Sequence, residues 1–73
     1  MEKTIFTENH RYMVDRLVKA RKSVGLKQQD VARKLGRTQS YVSKLEAGQR
    51  RVDVIQLREL ASLYGKKINY FIK

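Results

Sequence analysis

Cysteine, proline and tryptophan are absent from this 73-residue chain, and histidine occurs once. Without cysteine there is neither a disulfide nor a thiolate metal site, and His10 alone cannot assemble a zinc centre. No metal and no cofactor are therefore expected. A chain this short buries only about 60% of its unfolded surface, so stability has to come from helix packing, with a partner subunit as the remaining aid. No apolar run approaches the ~18 residues of a membrane span, and no signal-peptide core follows the N-terminus. These absences predict a cytoplasmic protein with no membrane partner. Acidic residues are scarce too, seven against 17 basic, for a net charge of +10. Glu2, Glu8, Asp15, Asp30, Glu46, Asp53 and Glu59 show no paired spacing, and no phosphate-binding loop or histidine partner accompanies them. No catalytic residue is assigned and an enzyme is not expected.

Glycine is also rare, and its placement is informative. Gly25, Gly36, Gly48 and Gly65 each follow an apolar-periodic segment, the position where a left-handed residue stops a helix. With no alternating strand pattern of useful length outside the short tail, the fold class is all-α, one domain over residues 1–73. The charge is concentrated. Between Arg16 and Arg51 stand 11 basic residues against two acidic ones, Asp30 and Glu46. Such a stripe is the electrostatic footprint of a phosphate-binding surface. A generic solvated basic surface is the plainer reading. An anionic membrane surface is disfavoured, because no continuous apolar helix face lies opposite the charge.

Taken in order, residues 1–6 read as a flexible arm, with Phe6 available to fold back as a staple around the next cap. Thr7 is an N-cap, and Glu8 suits the helix dipole. Met13, Val14, Leu17, Val18 and Val24 trace one stripe ending at Gly25. Arg21 lies on that stripe, either snorkelling or as half of a buried ion pair.

Residues 26–51, LKQQDVARKLGRTQSYVSKLEAGQRR, are the segment on which the chain turns. Val31, Ala32 and Leu35 share one helical face. Gly36 follows, and Thr38 caps a second helix in which Val42 and Leu45 sit three apart. Helix, glycine turn, helix is the pattern whose second helix enters the DNA major groove. Its exposed face would carry Gln39, Ser40, Ser43 and Lys44. Lys27 stands where a Ser or Thr cap is expected, so the preceding helix lacks one. Gln28, at that helix start, suits a phosphate; its plain reading is an ordinary exposed glutamine. Glu46 lies near a helix end, where its charge opposes the dipole, and Arg21 is the natural compensation. Gln49, Arg50 and Arg51 form a basic loop. Asp53 and Gln56 then make a capping-box pair for a fourth helix that buries Val54, Leu57, Leu60, Ala61 and Tyr64. Residues 66–73 hold Ile68, Tyr70, Phe71 and Ile72, a last turn that closes the core, a dimer contact, or both.

With these residues laid out, the sequence resembles the phage Cro/cI-repressor type of helix-turn-helix domain, the XRE family. The likeness rests on LKQQDVARKLG, TQSYVSKLEAG and VDVIQLRELASLYG, and on the constellation Gln28, Ala32, Gly36, Val42, Leu45, Glu46 and Gly48. It covers about Arg16 to Ile72. The resemblance implies a compact bundle of five helices, with helices two and three as the reading unit. It implies that Gln39, Ser40 and Lys44 touch base edges, with Ser43 secondary. Gln28, Arg37, Thr38, Tyr41, Gln49 and Arg50 would contact phosphates, and Arg21 with Glu46 would be the family's buried pair. Arg51, Val52 and Asp53 resemble the link to the fourth helix. Lys27, Lys66 and Lys67 depart from the pattern, which leaves the start of helix two and the length of helix five open. The family implies a double-stranded DNA partner, a homodimer on a palindromic operator and a transcriptional regulator, here expected to be a repressor. With no length for a ligand or oligomerisation domain, the chain resembles the stand-alone regulators, and no small-molecule effector is evident.

Two other functions fit parts of the sequence. An antitoxin or other protein-interaction module would use the apolar tail to hold a toxin or similar partner. Non-specific RNA binding would need only charge, but the aromatics do not form a stacking platform; Tyr64, Tyr70 and Phe71 read as core.

Overall fold

The computed structural model describes residues 7–73; the arm over residues 1–6, and with it the staple expected of Phe6, lies outside them. Four α-helices follow in order: α1 (Glu8–Ser23), α2 (Gln28–Leu35), α3 (Gln39–Glu46) and α4 (Val54–Tyr64). A 3-10 helix, Ile68–Phe71, ends the chain. The fold is all-helical among the described residues, and the expected fifth helix is one tight 3-10 turn.

Each helix starts and stops by local chemistry. Thr7 accepts from the His10 amide at 3.2 Å, and Thr38 from the Tyr41 amide at 3.1 Å. Asp53 and Gln56 bond reciprocally, at 2.8 and 3.0 Å, to begin α4. Lys27 has no acceptor to offer at the head of α2. Asp30 supplies the missing half, its carboxylate accepting the Lys27 amide at 2.9 Å. At the other end of α2 the Arg37 amide bonds the Ala32 carbonyl at 2.8 Å across Gly36. That closure needs a left-handed residue, and Gly36 has φ +68°.

The core is drawn from every helix. Leu17 and Ala20 of α1, Val31 and Ala32 of α2, Tyr41, Val42 and Leu45 of α3, and Leu57, Leu60, Ala61 and Tyr64 of α4 are buried together, with Phe71 of the closing turn. Burying each of the larger apolar side chains contributes about 1.5–3 kcal/mol. The structure corrects two expected core positions. Val24 is 45% exposed, because α1 ends at Ser23 and Val24 belongs to the turn that follows. Val54 is 61% exposed, because at the first position of α4 it precedes the face that packs. Of the tail, Phe71 enters the core while Ile72 stays exposed.

Among the described residues, Arg21 and its partner Glu46 have buried charged side chains. The Arg21 guanidinium donates to Glu46 twice, Nε to Oε2 at 2.7 Å and Nη2 to Oε1 at 3.1 Å, and Nη1 donates to the Leu26 carbonyl at 2.8 Å. Burial lifts the Tyr64 phenol above its ordinary range, with the Glu46 carboxylate adding to the rise and Arg21 opposing it.

Candidate nucleic-acid interface

Three residues, Gly36, Arg37 and Thr38, separate α2 from α3, and the two helices pack directly on each other. The inner face of α3 carries Tyr41, Val42 and Leu45. Its outer positions, Gln39, Ser40, Ser43 and Lys44, are all exposed. At helical spacing three and four apart, these four share one polar face. The inner face anchors the helix, so the outer face is held rigidly toward solvent.

The side chains expected at phosphates take different places. Arg37, Thr38, Gln49 and Arg50 are exposed at the two ends of α3. The Thr38 hydroxyl oxygen caps α3 and leaves its own hydrogen to donate. Gln28 is half-buried, and its amide nitrogen donates to Glu46 Oε1 at 2.9 Å. It thereby ties the start of α2 to the end of α3, a bond the sequence offered no signal for. Tyr41 is 9% exposed, its hydroxyl accepts from Gln56 Nε2 at 2.7 Å, and Arg37 and Arg50 lie over its ring. Gln56 was legible as a cap from its spacing to Asp53, but its grip on Tyr41 was not. A shallow groove beside α3 is lined by Gly36, Arg37, Thr38, Ser40, Tyr41, Lys44 and Arg50.

The charge of this surface is decided by where its two acids point. Asp30 bonds the Lys27 amide and lies 3.5 Å from Arg33. Glu46 is enclosed by Arg21 and Gln28, its side chain 6% exposed. Neither faces the groove. The polar face of α3 therefore presents donors and cations, which suits base edges and phosphate oxygens. No group of three His, Cys, Asp or Glu suited to a metal occurs among the described residues. No described helix is long and apolar enough to cross a membrane.

A family model described as helix-turn-helix matches residues 17–71, from the second half of α1 through α2, α3 and α4 to the end of the closing turn. No curated protein and no solved structure gives a significant match. The matched span, the three-residue turn and the exposed polar face of α3 agree, and the chain belongs to the Cro/C1-type helix-turn-helix (XRE) family of DNA-binding transcription regulators.

Proposed function

We propose that the protein is a repressor that binds a palindromic operator as a homodimer, with α3 in the major groove. The observation that carries this reading is the acid-free polar face of α3, held outward by the buried Tyr41, Val42 and Leu45. On it Gln39, Ser40 and Lys44 read base edges, with Ser43 secondary. Gln39 suits adenine N6 and N7, and Lys44 suits guanine O6 and N7, each worth about 1–3 kcal/mol of discrimination. Arg37, Thr38, Gln49 and Arg50, with Gln28 and Tyr41 behind them, hold the backbone and set register.

Dimeric binding is supported by size and by remaining apolar surface. The molecule measures 34 × 25 × 20 Å, a size compatible with two copies reading half-sites ~34–36 Å, one helical turn, apart. Phe71 is committed to the core, so the tail offers a second copy little more than Ile72. A larger apolar surface is a groove in which Leu35, Ile55 and Leu63 lie among Lys34, Arg58, Glu59 and Ser62, with exposed Val54 next to Ile55 in α4. The same use of the tail weakens the case for a protein-interaction module built on it.

Selection of bound sequences from random duplexes tests the reading. The expected result is a palindrome with half-sites about one turn apart; no enrichment at moderate salt overturns it. Within the enriched site, Gln39→Ala is expected to relax preference at one base position. Arg50→Ala is expected to weaken all sequences alike. Equal loss on every sequence for Gln39→Ala, in an anisotropy titration, removes that residue from base reading.

A further inference from the structure

The turn before α3 and the loop after it meet over one aromatic ring. The guanidinium carbon of Arg37 lies 4.9 Å from the centroid of Tyr41, and that of Arg50 lies 4.7 Å from it. The ring is not free to move. It is buried, and Gln56 holds its hydroxyl at 2.7 Å while bonding Asp53 through its own backbone amide and side-chain oxygen. Two guanidiniums on one ring repel each other, and the negative ring faces offset only part of that. An anion reached by both relieves the rest. The groove they border holds Lys44 and the hydroxyls of Thr38 and Ser40, and no carboxylate lines it.

We propose that Arg37 and Arg50 act as one clamp on a single DNA phosphate, and that Tyr41 is the positioning residue that couples them through its ring. The inference rests on the DNA-binding reading and deepens it. Each planar guanidinium offers paired donors that match phosphate oxygens. Packing both on a fixed ring removes rotamer freedom before the phosphate arrives. The two arginines, distant in sequence, form one recognition element.

The test is the salt dependence of binding to one fixed duplex, for the wild type, Arg37→Ala, Arg50→Ala and the double substitution. A phosphate contact contributes a slope of about 0.9 in log K against log salt. One shared phosphate predicts a fall of about 0.9 in the double variant, with most of the affinity loss already present in each single variant. Separate phosphates predict a fall of about 1.8 and losses that multiply to within about twofold; either result overturns the clamp, as does an unchanged slope. Repeating the cycle in Tyr41→Phe, which keeps the ring, is expected to preserve the coupling, and in Tyr41→Leu to abolish it. Circular dichroism melts identify a Leu variant that has lost its fold, and the arginine cycle in the wild type and in Tyr41→Phe then decides alone. The operator reading fails separately: a wild type without sequence preference but with coupled arginines loses the operator and keeps the clamp.

Discussion

Lys27 occupies the position of a helix cap and cannot serve as one, because an ammonium only donates. The backbone amide that it leaves open is taken by Asp30, three residues on. That bond, more than the neighbouring Arg33 and Lys27 charges, holds the Asp30 carboxyl below its ordinary 3.8. A carboxylate with a depressed pKa in the folded state stabilises the fold above its unfolded pKa and stops doing so as pH falls through the folded value. Asp30→Asn is thus expected to melt below the wild type at neutral pH, with the difference shrinking as pH drops below 3.8. Thermal melts across that range check it, and a gap that widens in acid contradicts the assignment. Asp30 was legible as a dipole-matched acid, but not as the cap. Arg21 and Glu46 were legible as partners because each needed a compensating charge and the family resemblance paired them. Each is an anomaly in its own helix, an arginine on an apolar stripe and an acid at a C-terminal end. Their pairing at 2.7 Å joins residues 25 apart in sequence, which periodicity alone cannot establish.

Neither α2 nor α3, at eight residues each, is long enough to persist alone, since isolated helices below about 12–15 residues are marginal. They hold because each buries one face against the other, and because their connection is tight. Gly36 decides the connection. A methyl group placed there would meet nothing within 4 Å, so the cost of Gly36→Ala is conformational alone, about 1–2 kcal/mol for a left-handed residue with a side chain. Urea denaturation is expected to show that loss with an unchanged slope, and DNA affinity is expected to fall only as far as the folded population falls. A neutral result would mean that the turn relaxes to another geometry. The periodicity and glycine spacing located all four α-helices. Element ends were harder: Val24 and Val54 fit the apolar stripes yet face solvent, because helix phase is set by what packs against it and not by the stripe extended outward.

The whole molecule is closed by its last turn. Phe71 is completely buried, Arg16 donates to the Tyr70 carbonyl at 3.0 Å, and the Arg16 guanidinium lies 4.2 Å from the Tyr70 ring centroid. The tail is thus fastened to α1, the element furthest from it in sequence. Phe71→Ala is expected to cost about 3–5 kcal/mol, a large part of the about 5–15 kcal/mol that holds a domain together. Chemical denaturation measures it, and a loss below about 1 kcal/mol, the scale of an ordinary surface or mild core change, would show that the turn is not part of the core. The sequence by itself determined what local chemistry controls: an all-helical chain, three helix starts, four glycine stops, and the outward face of α3. Apolar periodicity and capping act within a few residues, so they can be read without a fold. The tertiary structure alone decided how Tyr41 gathers Arg37, Arg50 and Gln56, how Gln28 joins the Arg21–Glu46 pair, and that Arg16 fastens the tail. Those outcomes join residues distant along the chain, and only packing of the helices around one core brings them within reach.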